Sequence, residues 1–232
     1  MIRCIAFQGG APFDLVQQQF LTAVGSGHFD TVRLGGLGHR HGASNGSMCY
    51  TFPVTTEARN SFSVAWHGEM HSGTTIGLRD TTVAGGTILL WRNSGFDQRV
   101  GGTDYSAGGT WNLDQPTRIV HTSGASAARL YADGNLIING GAPGATALVS
   151  PWALHRNGSV SNAQGCVATD YLLALWDRPL EPDEAYEWMR DPYGALLRPV
   201  SVFVPKAAAV VPGGFSPWWS AARSGIVGAG AH

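Results

Sequence analysis

Lysine is almost missing from this chain, with one, Lys206, in 232 residues. Charged residues of all kinds make up 13%, about half the usual share, and the formal net charge is −1. So little basic charge leaves no electrostatic footprint for DNA, RNA or an anionic membrane surface. Neither a nucleic-acid nor a membrane partner is expected. Long apolar runs are absent too. No stretch reaches the length that spans a bilayer, and the opening "MIRCIAFQGGAPFD" is too short in apolar residues for a signal peptide. Cysteine is scarce: Cys4, Cys49 and Cys166 are an odd, scattered set that makes no disulfide framework. Free thiols in a chain folded in a reducing cytoplasm are the expectation.

Glutamate is limited to Glu57, Glu69, Glu181, Glu184 and Glu187, and no Glu-x-Asp-x-x-Glu pattern occurs. Glycoside hydrolysis needs two carboxylates across the scissile bond. Glu69 stands alone in "WHGEMHSG", so no catalytic residue is assigned and no enzyme activity is expected.

What is present points to strands. Glycine is abundant at 32 residues, and 44% of the chain is apolar. Apolar–polar alternation recurs in "SMCYTF" (Met48, Tyr50, Phe52) and "SFSVAW" (Phe62, Val64, Trp66). Further strand candidates are "TILLWR" from Thr87, "TRIVHT" from Thr117, "WALHR" from Trp152 and "YLLALW" from Tyr171. Turn-rich segments such as "GGT", "SAGG" and "RNGSVSNAQG" separate them. Many short strands with Gly-rich turns predict an all-β antiparallel sandwich, and no fixed-period repeat suggests a solenoid or propeller.

Two local signals are sharper. "ARLYADGNLIING" places Asp133-Gly134 between two runs, the pattern of a type I′ hairpin. It predicts Ala132 opposite Asn135, Tyr131 opposite Leu136 and Leu130 opposite Ile137. "LEPDEAYEWMRDP" predicts one short helix, with Glu181 at the N-cap, Pro182 at the first helical position and Glu184 three residues after the cap. Leu180 and Ala185 form a candidate staple, and Ala185, Trp188 and Met189 share one face. Pro192 stops the helix. Beyond residue 204 the pattern fades into a Gly-, Ala- and Pro-rich tail, residues 205–232, carrying Phe215, Trp218, Trp219 and Ile226. Such a tail cannot form its own core. Those four residues are expected to dock on a neighbouring subunit.

Together these segments resemble a known family. "ARLYADGNLI" is similar to the signature hairpin of concanavalin A-like, laminin G-like jelly-roll domains, and "ATDYLLALWDRPLEPDEAYEWMRDPYGALLRP" resembles their C-terminal strand, capped helix and Asp-Pro-aromatic step. The resemblance covers roughly residues 25–200, within a domain spanning 1–204. The version with "DPYGALLRP" looks most like laminin G-like domains in tailed-bacteriophage structural proteins. By resemblance, then, the chain is a non-enzymatic virion surface protein such as a capsid decoration, assembled in the host cytoplasm. Other virion proteins, further copies of itself and a host-surface glycan are the implied partners. The runner-up is a carbohydrate-binding adhesion module, because this fold hosts lectins as well as scaffolds.

Sugar recognition uses aromatic platforms beside amides and acids. Trp91, Asn93, Asp104, Tyr105, Trp111 and Asn112 are the candidate set, with burial of Trp91 in the core as the plainer alternative. No cofactor is expected, although the family resemblance allows a structural Ca²⁺ at the sandwich rim. Asp170, Asn135 and Asp133 are its candidate oxygen donors, without an acidic cluster around them. His39 with His41, and His67 with His71, return to one strand face and are candidate zinc pairs. Ordinary hydrogen bonding is the better account of all four, and no metal ligand is assigned.

Overall fold

A computed structural model gives the architecture. It describes residues 1, 3–7, 12–24, 28–30, 39–42, 49–51, 61–73, 75–80, 87–92, 97–100, 103–105, 112–124, 127–140, 152–154 and 166–194. The chain divides into Met1–Ala195 and Leu196–His232. The second unit, with Phe215, Trp218, Trp219 and Ile226, lies outside the described residues.

Along the first unit run β1 (Arg3–Ala6), β2 (Phe13–Asp14), β3 (Gln19–Phe20), β4 (Thr22–Val24), β5 (His28–Asp30) and β6 (His39–Gly42). Next come β7 (Cys49–Thr51), β8 (Phe62–Gly73), β9 (Thr75–Asp80), β10 (Thr87–Arg92), β11 (Asp97–Val100) and β12 (Thr103–Tyr105). Last are β13 (Pro116–Ser123), β14 (Ala128–Ala132), β15 (Asn135–Gly140), β16 (Trp152–Leu154), β17 (Cys166–Trp176) and the helix α1 (Pro182–Arg190). All pair antiparallel, in two sheets. One is ordered β15-β14-β13-β8-β17-β1-β2-β3, with β6 also on β17 and β5 on β6; the other is ordered β12-β11-β10-β9-β16-β7-β4. This is the β-sandwich with one short helix that the sequence predicts.

The middle of the first sheet departs from simple alternation. Phe62, Val64 and Trp66 share a face as expected, yet Ser63 and Ala65 between them are equally buried. On β17 every residue from Ala168 to Trp176 is buried. A strand reads as a continuous apolar run when both its faces are covered. On the same sheet α1 packs against β13 and buries its own Ala185, Trp188 and Met189. Ser63 fastens the approach to the helix: its hydroxyl donates to Arg178 O at 3.0 Å and accepts from Leu180 N at 2.8 Å.

The helix start follows the sequence signals. Glu181 N–H donates to Glu184 Oε2 at 2.9 Å, and Ala185 N–H donates to Glu181 O at 3.0 Å. Arg178 adds a two-pronged contact to Glu184, both arms 2.5 Å. Leu180 is buried beside this first turn.

The hairpin is a β14–β15 pair with φ of 45° at Asp133 and 84° at Gly134, the left-handed pair that a type I′ turn needs. A Cβ at Gly134 would meet nothing within 4 Å, so glycine serves the dihedral there, not the space. Ala132 opposes Asn135 and Tyr131 opposes Leu136, but Leu130 opposes Ile138 rather than Ile137. A bulge absorbs one residue there. The turn motif sets only the register nearest to it, and a bulge farther along the ladder shifts every later pair.

The N-terminal edge holds a feature with no local sequence signature. Arg3 and Asp14 form a fully buried ion pair, Nη1 to Oδ2 at 2.9 Å. Asp14 Oδ1 accepts from the backbone N–H groups of Cys4, Val16 and Gln17 at 3.3, 3.0 and 3.2 Å. A buried charge persists when it is paired and its remaining lone pairs are used. Cys4 is a buried free thiol, as expected, and burial with Asp14 nearby pushes it up to about 12.

Candidate functional site

Buried polar side chains gather where β8, β13 and β17 run past the end of α1. Glu69 and Tyr171, on β8 and β17, are both buried, and the Tyr171 hydroxyl donates to Glu69 Oε1 at 2.6 Å. The ring of His67 lies 5.0 Å from that of Tyr171 and 5.8 Å from that of Tyr193. Arg118 donates from Nη1 to Met189 O at 3.0 Å, tying β13 to the helix end. Burial, helped by the Arg118 charge, pushes His67 down to about 4, so the ring is neutral at physiological pH. Burial also raises the Tyr193 hydroxyl, with Arg118 opposing. His121, on β13, is pushed down to about 3 by burial alone. His67 and Glu69 are thus both buried, with Glu69 the acceptor of the Tyr171 hydroxyl.

A second cluster faces solvent. The turn of residues 112–115 leads into β13, and all four residues are exposed. Asp114 has φ of 60°, an uncommon left-handed value for a non-glycine residue. Its N–H donates to Met70 O at 2.8 Å. His71 Nδ1 and Asp114 Oδ1 are 2.6 Å apart, and His71 Nε2 and Thr169 Oγ1 are 2.8 Å apart. A carboxylate only accepts, so Nδ1–H donates to it; in the neutral ring Nε2 then accepts from the Thr169 hydroxyl. Asp114 is not among the expected site residues, although Asn112, two positions before it, is. Aspartate's tolerance of left-handed turns is a weak local hint in "NLDQP". The partner, 43 positions away, left no local trace.

The expected sugar set is divided by the fold. Trp91 on β10 opposes Gln98, which opposes Tyr105 on β12, so Trp91 and Tyr105 lie in one cross-strand row. Ile76, Leu78, Leu89 and Val100 occupy positions on that same face. Asp104 opposes Arg99 on the other face, which also takes the positions of Arg92 and Asp97. The pleat thus sets Asp104 apart from the two aromatics, since neighbours along a strand alternate faces. Asn112 sits in the exposed turn. Asn93 and Trp111 lie outside the described residues.

The metal candidates are accounted for differently. His67 and His71 share a strand face but not a site: four residues of strand span roughly 13 Å, and each ring is engaged by different neighbours. His39 and His41 lie on β6, opposite Asp170 and Ala168. Of the calcium candidates, Asp133 Oδ1 accepts from Arg118 N at 2.8 Å, and its carboxyl is raised by burial against that bond. Asn135 donates from Nδ2 to Asp133 O at 3.3 Å. Asp170 Oδ1 accepts from the Trp66 indole at 2.7 Å. Among the described residues no three His, Cys, Asp or Glu side chains converge as a metal site. Among them, too, no helix is long and apolar enough to cross a membrane.

No protein-family model matches the sequence, and no curated protein sequence does. Similar folds are found among solved structures. The Trypanosoma rangeli sialidase matches with a TM-score of 0.57 at 15% identity, over 81% of this chain and 32% of that one. The botulinum neurotoxin serotype G binding domain matches at 0.58 and 12% identity, over 82% and 50%. The binding domain of Paraclostridial Mosquitocidal Protein 1 matches at 0.62 and 10% identity, over 83% and 52%. This chain therefore spans between a third and about half of each of these longer chains. The likeness is one of fold: a β-sandwich.

Proposed function

We propose that this protein is a non-catalytic recognition module that binds carbohydrate. The observation that carries the reading is the likeness of its sandwich, over more than four fifths of the chain, to the binding domains of two toxins. Glu69 supports the non-catalytic part, because it is 2% exposed and bonded to Tyr171. A glycosidase acid or nucleophile must reach the sugar from an open cleft.

The test is a printed panel of neutral and sialylated oligosaccharides probed with the intact chain. Saturable binding to at least one class is expected, with no release of reducing sugar. A folded protein that binds none of the panel overturns the carbohydrate reading. Sugar release that vanishes in Glu69→Gln overturns the non-catalytic one.

The narrower setting is a tailed-phage virion surface, with the tail docking on a neighbouring subunit. It rests on the sequence step Asp191-Pro192-Tyr193-Gly194. In the fold that step is a turn in which Gly194 N–H donates to Asp191 Oδ1 at 3.0 Å and Tyr193 packs near His67. Peptide mass spectrometry of purified phage particles that lacks this chain would reject the setting while leaving the binding module intact.

A further inference from the structure

We infer that the exposed turn 112–115 is the ligand-contacting site, with the Asp114 carboxylate as acceptor for the hydroxyl groups of a sugar. The inference rests on the carbohydrate reading above and gives it a location apart from the Trp91–Tyr105 row. Three features carry it. First, the side chain of Asp114 is 67% exposed, so the carboxylate stands in reach of a ligand. Second, it is held before any ligand arrives. The His71 imidazole, only 10% exposed, bonds its Oδ1, and Thr169, buried in β17, fixes the other side of the ring. The backbone bond from Asp114 N–H to Met70 O fixes the turn itself. Third, the backbone adopts a left-handed conformation at a residue other than glycine. Such conformations persist where the surrounding structure over-determines them, and they cluster at ligand-binding sites.

A carboxylate has about four acceptor sites on two oxygens, and the His71 bond engages Oδ1 alone. The remaining acceptor capacity suits adjacent hydroxyls of a sugar ring, which donate in pairs. Asn112 and Gln115 add exposed amides able both to donate and to accept. Leu113, 44% exposed, adds an apolar contact for the C–H face of the ring. Freezing an acceptor beforehand lowers the ordering cost of binding. His71 and Thr169 act as positioning residues.

The experiment repeats the oligosaccharide panel with four variants of the full chain. Asp114→Asn removes the charge and keeps the shape. Asp114→Gly removes the carboxylate while easing the positive φ, so its thermal midpoint should equal or exceed that of the parent. Both should lose at least tenfold in binding signal. Thr169→Val should weaken binding several-fold, and Thr169→Ser, which keeps the hydroxyl, should restore it. If the parent binds and both Asp114 variants bind equally well, the site is overturned while the carbohydrate reading stands. If the folded parent binds no oligosaccharide, that reading fails first and takes the site with it.

Discussion

Trp66 donates its indole N–H to Asp170 Oδ1 at 2.7 Å, reaching across the face of Gly68. Gly68 follows Trp66 by two residues on β8 and opposes Asp170 on β17, so all three share one face. A Cβ at Gly68 would lie 2.3 Å from the indole Cζ2 and 2.4 Å from Thr169 O. The missing side chain leaves the bed in which the ring lies. Gly68→Ala should therefore displace the indole and break a buried hydrogen bond, costing about 2–4 kcal/mol, in the range of overpacking plus an unsatisfied polar group. An unfolding free energy from urea titration within about 0.5 kcal/mol of the parent, on the usual scale of surface substitutions, would contradict this packing.

Acid should weaken the fold before most carboxylates titrate. His67 and His121 are pushed down to about 4 and about 3, against an ordinary value of 6.5. Above pH 6.5 both states hold these rings neutral, and no stability depends on them. As pH falls below 6.5 the unfolded chain takes up the protons first, so stability declines until the folded-state values are passed. Denaturant titrations between pH 7 and 4 should show a slope approaching two protons. His67→Phe should reduce that slope by about one. An unchanged slope in that variant would show that His67 is not the group responsible.

Glu184 contributes in the opposite sense. The Arg178 guanidinium, with the Glu181 N–H, holds its carboxyl down to about 2. Its contribution is present above its ordinary value of 4.5 and is lost as pH falls toward 2. Glu184→Ala should cost about 1 kcal/mol, mostly through the cap, because exposed ion pairs are worth little. The check is a thermal melt at pH 7, where the loss should be visible, and at low pH, where it should shrink.

For the tail, the proposal makes a separable prediction. A chain ending at residue 211 should retain the far-ultraviolet signature of the sandwich and remain soluble. It should lose the self-association or particle incorporation that depends on Phe215, Trp218, Trp219 and Ile226. Light scattering after size exclusion reads the first outcome. If the shortened chain unfolds, those aromatics belong to the core, and docking on a neighbour is wrong.

Much of the fold was legible because its signals are local. Period-2 runs, Asp133-Gly134 and the Glu181–Glu184 cap each depend on a few neighbouring residues. For the same reason, β8 and β17 were seen only in part: their flanking polar residues hid strands that continue to Gly73 and back to Cys166. Buried strands read as continuous runs, and His67, Glu69 and Asp170 interrupt those runs with polar groups that find partners only across the sheet.

By itself, then, the sequence determined the class of fold, the hairpin turn, the helix with its buried face and the scarcity of glutamate. These follow from backbone preferences and apolar periodicity, which act over a few residues. Tertiary structure alone decided which polar residues meet. It paired Arg3 with Asp14, Trp66 with Asp170, Glu69 with Tyr171, and His71 with both Asp114 and Thr169. It also placed Trp91 and Tyr105 at register positions on one face of a sheet and Asp104 on the other. The physical reason is the same throughout. A buried or positioned polar group is satisfied by whatever the sheet register brings opposite it, and register depends on strands far apart in the chain.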